Sequence, residues 1–410
     1  MTTKKTAICI IFLSLISILP LQAETKITPV ANIDLLGGQY WVSESAPASF
    51  GGNLNIFFSP AINFGSGTAL LPIYSGSYSG TKDVQELVGG GTLARELQDH
   101  SLSFKFVKKL PSQMKLKVSA GYKIEYLKET IDETWGKGLF DYNKTSVGFE
   151  FEKPLEALKI RSGLDYYTMA YPNYQALITK PEFETSLDTT TYSELSTQAG
   201  INVLDYSTIA LFFEGARQFS EGFMGFARYN LALKNFVDQK TVQSSGEFSG
   251  TLRADTVHYL AAGASFGTSR VKLGFSDTIQ LYDSNQNSFD IANSKYIANY
   301  YDFIENSFSP NVVFSLGSGE IPMKLSFFWD IAYRVYGERL AQQADSVYKA
   351  DKISQTINTT GVSFVYPIAG SLSAKFAANY RDSVSNMKYE KNYKYNYYTL
   401  NYFVGINWQL

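Results

Sequence analysis

The sequence predicts an all-β protein, folded as a single antiparallel transmembrane β-barrel. Apolar and polar side chains alternate with a period of two over many segments, as strands with one apolar face require. Aromatic residues make up 15% of the 410 residues and charged residues only 18%, whereas soluble domains average about 25% charged. Short turns also alternate with longer polar connections, which is typical of membrane barrels.

The N-terminal segment has the layout of a secretory signal. Lys4 and Lys5 form a positively charged region, Thr6–Leu19 forms an apolar region, and a small residue closes the run before Glu24. An apolar run of about 14 residues is too short to span a bilayer comfortably. We therefore predict a signal peptide over residues 1–23 and cleavage before Glu24.

The remaining chain, residues 24–410, is predicted to form the barrel as one domain. It contains no run of 18 apolar residues, so no transmembrane helix is expected. Cys9 is the only cysteine and lies in the signal, which excludes disulfides and thiolate metal sites from the mature chain. The net charge of −2 gives no basic field for nucleic acid. No cofactor is expected.

The last eleven residues form an amphipathic strand on which the chain ends. Asn401, Phe403, Gly405, Asn407 and Gln409 alternate with an apolar face. That apolar face consists of Leu400, Tyr402, Val404, Ile406, Trp408 and Leu410. A terminal strand of this kind resembles the C-terminal signal strand of bacterial outer-membrane β-barrels of the porin-like superfamily. That family usually ends in Phe, whereas this chain ends in Leu, with a tryptophan two residues earlier.

The resemblance implies a location in the outer membrane of a Gram-negative-type bacterium. It also implies outer-membrane lipid, lipopolysaccharide, the barrel assembly machinery and small solutes as partners. It gives no oligomeric state.

The clearest alternation lies between Leu102 and Tyr167. Apolar residues at even positions from Met114 to Tyr126 alternate with mostly polar residues that include Lys115, Lys117, Lys123 and Glu125. Neighbouring strands repeat the pattern with Lys105, with Glu150 and Glu152, and with Lys159 and Arg161. Charges on the second face of long strands cannot lie in a dry core, so this face is expected to line a wet lumen.

Eleven cations and six carboxylates are assigned to this lumen by alternation. The cations are Lys105, Lys115, Lys117, Lys123, Lys159, Arg161, Lys272, Lys324, Arg334, Lys375 and Arg381. The carboxylates are Glu125, Glu150, Glu152, Asp165, Glu214 and Asp330. This excess predicts a weak preference for anions. The alternative is that Glu150 and Glu152 neutralise the cations in cross-strand pairs.

Counting strands gives 16, with 14 to 18 possible. The count of 16 treats Ser207 to about Leu231 as one strand with an irregularity at Ser220–Gly222. A hairpin there would require another pairing segment within Asp238–Gly250 and give 18, because single-chain bacterial barrels have even strand numbers. We predict 16.

Short and long connections alternate along the chain. Short turns are predicted at 110–113, 153–156, 204–207, 267–269, 317–319 and 367–370. Longer polar loops are predicted at 172–188, 283–294, 337–351 and 383–392. The polar, Gly-rich connection Gly76–His100 is predicted as a flexible surface loop with room for one helical turn, and it can fold inward to narrow an open barrel.

Few residues suggest catalysis or metal binding. Asp99 and His100 resemble the Asp-His pair of omptin-type surface proteases, and His258 near Thr256 or Ser265 suggests a barrel phospholipase. We interpret both histidines as non-catalytic and predict no enzyme activity. The acidic loop residues Asp132, Glu133, Asp283 and Asp290 lack calcium-loop spacing. Asp277 and His258 fall on the lipid face, which implies bulges or positions near the headgroups.

Three functions remain open. A barrel of 16 to 18 strands leaves an aqueous channel unless it is blocked, so passive diffusion of small hydrophilic solutes is the leading hypothesis. A closed structural or adhesion barrel with functional surface loops is the second. Uptake of hydrophobic solutes is the third, although Glu24–Pro29 is short for the N-terminal hatch that such uptake is expected to need.

Overall fold

The computed structural model describes residues 25–43, 49–87, 90–130, 132–174, 200, 202–291, 293–317, 321–391 and 393–410. These residues form a closed antiparallel barrel of sixteen long strands, which confirms the predicted fold class and strand count. The segment Met1–Ala23, predicted as the signal peptide, lies outside the described residues. None of the described residues forms an apolar helix of membrane-spanning length.

The sixteen wall strands follow one another around the barrel in chain order. They are β1 Ala31–Val42, β2 Ser49–Phe58, β3 Thr68–Ser79, β4 Glu96–Lys109, β5 Lys115–Lys128, β6 Tyr142–Leu155, β7 Leu158–Ala170, β8 Tyr206–Ser220, β9 Phe223–Val242, β10 Phe248–Gly267, β11 Val271–Ser284, β12 Phe303–Leu316, β13 Met323–Gln342, β14 Tyr348–Ala369, β15 Leu372–Ser385 and β16 Tyr397–Gln409. Two short strands, Lys26–Thr28 and Ala61–Asn63, pair with each other. Pro111–Gln113 forms a single 3₁₀ turn.

The barrel closes where the last strand meets the first. Strand β16 pairs with β15 on one side and with β1 on the other. Across this seam Leu35 lies opposite Ile406, and Ile33 lies opposite Trp408. Because each wall strand has two neighbours, the wall closes without an edge strand, as a β-structure in a membrane requires.

The two ends of the barrel differ in the length of their connections. At the turn end, β6–β7, β8–β9 and β14–β15 are joined by the two-residue turns 156–157, 221–222 and 370–371. At the loop end, β11–β12 and β15–β16 are joined by the longer segments 285–302 and 386–396. This is the alternation that the sequence predicts and that outer-membrane barrels show.

The interpretation of Ser207–Leu231 as one strand is wrong. Strands β8 and β9 form a hairpin that turns at Glu221 and Gly222, and Gly222 has a φ of +82°, which favours glycine. Phe219 and Phe223 stack across this turn at 5.1 Å, so the apolar pattern continues through it. The hairpin adds one strand to the predicted count. The predicted short turn at 204–207 is not a hairpin turn, because residues 204–205 end the connection between β7 and β8, so one predicted strand is lost and the total remains 16.

Two hairpins are much longer than the rest. Strands β9, β10 and β13 have 20 residues each and β14 has 22. The predicted loop at Gly337–Asp351 is therefore wrong, because β13 continues to Gln342 and β14 begins at Tyr348. Both long ladders contain register shifts at the loop end, and such bulges increase strand twist.

The described residues of the connection predicted as a surface loop at Gly76–His100 are mostly β-structure and include no helical turn. Within it Asp83–Leu87 pairs with Gly90–Ala94, and we call this unit the inner hairpin. Val84 is buried, and its carbonyl oxygen accepts a hydrogen bond of 3.3 Å from Nη1 of Arg381 on β15. Since β15 is not adjacent to β3 or β4 in the wall, the inner hairpin reaches into the barrel.

The outer face of the wall is apolar. On the terminal strand Tyr402, Val404, Ile406 and Leu410 are exposed, and Trp408 is half-buried on the same face. Phe149 and Phe151 on β6 are exposed in the same way. An apolar outer face on a closed wall is the architecture of a bacterial outer-membrane β-barrel.

We expect Gly405→Ala to weaken the seam. A methyl group at Gly405 would lie 1.9 Å from the carbonyl oxygen of Leu35, so the β1 backbone would have to move. At Gly215 on β8 it would meet only Leu158 Cδ1, at 3.9 Å. Gly405→Ala should lower the free energy of unfolding by about 1–3 kcal/mol, and Gly215→Ala should change it by less than about 0.5 kcal/mol. Urea unfolding in lipid vesicles measures both, and equal midpoints would contradict the role of the seam.

Candidate functional site

The charged residues predicted for the lumen lie on the wall face opposite the exposed apolar side chains. On β6, Glu150 and Glu152 alternate with the exposed Phe149 and Phe151. The inner hairpin meets Arg381 on this same inner face. The inner face is therefore the charged one, as strand alternation demands.

Eight charged side chains on β5 to β9 form one ion-pair network in the half of the wall nearer the turn end. The charge network consists of Lys115, Lys117, Glu150, Glu152, Lys159, Arg161, Glu214 and Arg228. The carboxylate of Glu152 accepts hydrogen bonds from Nζ of Lys115 at 2.9 Å and from Nζ of Lys117 at 2.7 Å. Lys159 Nζ lies 3.3 Å from the same carboxylate. Three lysines thus surround one buried carboxylate.

The other two carboxylates extend the charge network along the wall. Glu150 accepts hydrogen bonds from Lys117 Nζ at 2.6 Å and from Arg161 Nε at 2.8 Å. Glu214 accepts a hydrogen bond from Arg161 Nη1 at 3.0 Å, and its other carboxylate oxygen lies 3.9 Å from Arg228 Nη1. The network holds five cations and three carboxylates, so a formal excess of two positive charges remains.

Strand register places these opposite charges side by side. Lys115 lies opposite Glu152, Glu152 opposite Arg161, Arg161 opposite Glu214, and Glu214 opposite Arg228. Such cross-strand pairs contribute about 0.2–1 kcal/mol each. The pairing that the sequence analysis left open is formed, and it neutralises most of the cations locally.

The cations of the charge network are partly exposed to the barrel interior. The side chains of Lys115, Lys159 and Arg228 are 37%, 49% and 42% exposed, whereas that of Glu152 is 5% exposed. The carboxylates therefore lie against the wall, and the cations lie between them and the interior. A charged face with this exposure is wet, because an unsolvated cation in a filled core would be costly.

The remaining predicted lumen residues on β4 and β5 lie near the same network. Lys123 forms ion pairs with Asp99 and, at 3.0 Å, with Glu125. Lys105 lies on β4 opposite Ser119 and interacts electrostatically with Asp165. These residues form the loop-end continuation of the charged face.

The predicted residues on β13 are separate from the charge network. Arg334 Nη2 pairs with Glu305 at 2.7 Å. Lys324 and Asp330 alternate with the exposed Trp329 on the same strand. Among the described residues, neither Lys324 nor Asp330 has an ion-pair partner.

Sequence reasoning missed several inner-face charges. Asp34 on β1 pairs with Lys375 at 3.1 Å, and period-two alternation along β1 could have identified it. Arg228 and Lys234 belong to β9, which was not separated from β8. Arg253 on β10 forms a buried ion pair of 2.8 Å with Asp255, for which no local motif exists.

An aromatic cluster occupies the loop end. Its buried members are Tyr282, Phe303, Tyr336, Ala341, Ile353, Met387 and Tyr395. The guanidinium of Arg339 is buried beside it, 4.2 Å from the ring centroid of Tyr300 and 5.1 Å from that of Tyr336. Arg339 Nη2 donates to the Tyr395 hydroxyl at 2.5 Å. Within the described ranges no carboxylate pairs with Arg339, so cation–π contacts hold its charge.

A cavity of about 390 Å³ opens beside this cluster, and we call it the loop-end cavity. Nine of its sixteen described lining residues are aromatic. Its charged lining residues are Glu125, Lys234 and Arg253. A pocket with aromatic walls and a few polar groups has the composition of small-molecule binding sites.

The catalytic alternatives do not assemble at their predicted positions. Asp99 pairs with Lys123 on the inner face, whereas His100 is exposed on the outer face and its Nδ1 contacts the Tyr74 hydroxyl at 3.1 Å. His258 Nδ1 instead contacts the Tyr229 hydroxyl at 2.8 Å. His100 therefore has no hydrogen bond to Asp99, and His258 has none to Thr256 or Ser265, among the described residues.

Asp277 lies on the outer face without a bulge. The β10–β11 and β11–β12 ladders continue through it without a register shift. Of the two predicted explanations, a bulge is therefore wrong for Asp277, and a position near the headgroups stays a prediction. Its Oδ1 accepts a hydrogen bond of 2.7 Å from Asn306 Nδ2 on β12. A polar neighbour on the same face satisfies this carboxylate in part.

No protein-family model and no curated protein sequence matches the chain. Several solved structures have a similar fold. An anion-selective porin from Comamonas acidovorans is 11% identical with a TM-score of 0.47, over 94% of this chain and 100% of that chain. Pseudomonas aeruginosa OpdQ is 10% identical with a TM-score of 0.46, over 93% and 98%. The Vibrio cholerae outer membrane protein OmpT is 10% identical with a TM-score of 0.45, over 95% and 99%.

We expect the loop end to lose stability in strong base through Tyr300, whose ring centroid lies 4.2 Å from the guanidinium of Arg339 beside the aromatic cluster. Burial raises the pKa of the Tyr300 phenol to about 12, although Arg339 opposes the shift. A raised pKa favours the neutral phenol, so this contribution is present below pH 10 and is lost as pH rises toward 12. Across that range the wild type should lose about 2–3 kcal/mol more than Tyr300→Phe. Urea unfolding at several pH values measures this, with Tyr366→Phe on the outer face as control. Parallel curves for all three proteins would contradict it.

Proposed function

We propose that this chain forms an outer-membrane channel for passive diffusion of small hydrophilic solutes, with a weak preference for anions. The supporting observation is the water-exposed charge network on the inner face of a sixteen-strand wall. Walls of this strand number leave an aqueous space that smaller barrels fill with side chains. We assign the barrel no catalytic role.

The anion preference is proposed from the balance of charge along the inner face. The charge network retains two excess positive charges, and Lys144 and Lys234 form no ion pair within 4.0 Å among the described residues. The effect is weak because neighbouring carboxylates neutralise most cations. Salt also screens charges over about 8 Å at physiological ionic strength.

A closed structural or adhesion barrel is the second candidate. The inner hairpin and the aromatic cluster support it, since both occupy the interior toward the loop end. The long β9–β10 and β13–β14 hairpins would then carry the surface function. The charged inner face disfavours the third candidate, uptake of hydrophobic solutes, because an apolar solute gains nothing from ionic walls.

Single-channel recording distinguishes the first two candidates. We expect the refolded wild type to give discrete, stable conductance steps in planar bilayers, because ions can cross a water-filled lumen. Deleting the inner hairpin, residues 83–94, with a short Gly-Ser linker in its place should increase the step size. Silent bilayers containing correctly folded wild type would favour the closed barrel.

Selectivity depends on the charge network. Replacing Lys115, Lys117 and Arg161 together with Gln should move the reversal potential in a salt gradient toward cations. The matched Glu150→Gln and Glu152→Gln double variant should move it toward anions. Both shifts should shrink as salt rises, because screening shortens the reach of a wall charge. An unchanged reversal potential in both variants would show that the paired charges exert no net field on the permeating ion.

A further inference from the structure

We propose that the loop-end cavity is a binding site for small aromatic carboxylates. The ammonium group of Lys234 holds the carboxylate, and tyrosine and phenylalanine rings hold the aromatic ring. A role of this site in solute uptake rests on the proposed channel function. Binding itself can be measured without transport.

Lys234 is the one charged lining residue of the loop-end cavity that no described residue neutralises. Glu125 is occupied by Lys123 and by the Tyr142 hydroxyl, which donates to it at 2.8 Å. Among the described residues Lys234 has no ion pair within 4.0 Å, and its Nζ lies 5.5 Å from the Tyr206 centroid and 5.2 Å from that of Tyr282. Its longer-range electrostatic neighbours are Asp255 and Arg253. Cation–π contacts of this length leave hydrogen-bonding capacity on the ammonium.

The nearby carboxylate of Asp255 is not free to pair with Lys234. Arg253 donates to it twice, from Nε at 2.9 Å and from Nη2 at 2.8 Å. Ser284 Oγ donates to its Oδ1 at 2.6 Å, and the Tyr282 hydroxyl donates to its Oδ2. Since four donors use its lone pairs, Asp255 neutralises Arg253 and leaves Lys234 as the site for an anion.

The cavity walls favour a planar ring. Tyr142 and Tyr171 are 5.8 Å apart, and Tyr206 and Phe236 are 5.3 Å apart, so ring faces and edges already lie at stacking distances. The hydroxyls of Tyr171 and Tyr206 have no hydrogen-bond partner among the described residues and can accept or donate to a ring substituent. A cavity of about 390 Å³ holds a solute of this size.

Lys144 supplies a matched control. Its Nζ lies 4.1 Å from the Tyr167 ring centroid and, like Lys234, it has no ion pair within the described ranges. It does not line the loop-end cavity, and it interacts electrostatically with Asp165. The two lysines therefore share an environment of rings on the inner face but differ in access to the cavity.

The test is calorimetric titration of refolded protein in detergent micelles with 4-hydroxybenzoate. Phenol lacks the carboxylate, acetate lacks the ring, and glucuronate has a ring that is not planar. We expect 4-hydroxybenzoate to bind most tightly. Lys234→Met should weaken its binding about 10- to 100-fold, as expected for loss of one charge-assisted hydrogen bond. Lys234→Arg should retain most of the affinity, and Lys144→Met should change it less than about twofold.

Several results would overturn the assignment. One is equal affinity for phenol and 4-hydroxybenzoate, and another is equal weakening by Lys234→Met and Lys144→Met. Tighter binding of glucuronate than of 4-hydroxybenzoate would show that the site prefers a sugar acid to a planar aromatic acid. Absence of binding by all four probes would refute the site even if the channel conducts, whereas binding without conductance would leave the site in place and refute the channel. A heat-shift gel establishes that each variant is folded.

Discussion

Backbone hydrogen bonding across the seam is the constraint on which the rest of the barrel depends. A strand in a bilayer has no water to satisfy its amide and carbonyl groups, so each strand needs a partner on both sides. Strand β1 meets this need only by pairing with β16, about 370 residues away in sequence. Gly405 allows the two backbones to approach closely there. Inner and outer faces exist as separate environments because this pairing closes the wall.

Closure also determines how the inner charges act. Register brings each carboxylate of the charge network beside two or three cations, and the deepest of them, Glu152, lies against the wall beneath three lysines. Paired charges in this arrangement give the lumen a polar, hydrated surface with only a small net field. At the loop end, aromatic rings replace carboxylates as partners for Arg339 and Lys234. The interior therefore changes character from ionic to aromatic along its length.

The fold could be predicted because alternation is a local property of each strand. In β5 and β6 the alternation of apolar and polar residues over 114–126 and 149–152 is enough to assign each side chain to the outer or the inner face. The turn at Glu221–Gly222 was missed because Phe219 and Phe223 continue the apolar pattern across it. The aromatic cluster and the loop-end cavity could not be predicted, since their residues come from strands and loops that only the closed wall brings together. Arg339 shows this limit, as no sequence pattern links it to Tyr300 or Tyr395.

The four longest strands make the wall uneven in height. Strands β9, β10, β13 and β14 exceed most of the others by about six residues, which corresponds to about 20 Å of extended chain before tilt. With the loop end outward, as in outer-membrane barrels, the described wall strands rise to two high tips, at residues 243–247 and 343–347. Among the described residues, those two tips extend farther than the loop-end termini of the other wall strands. Both tips are remote from the charge network, which lies near the turn end, so a change of sequence at the tips alters the outer surface of the protein and leaves those inner charges in place.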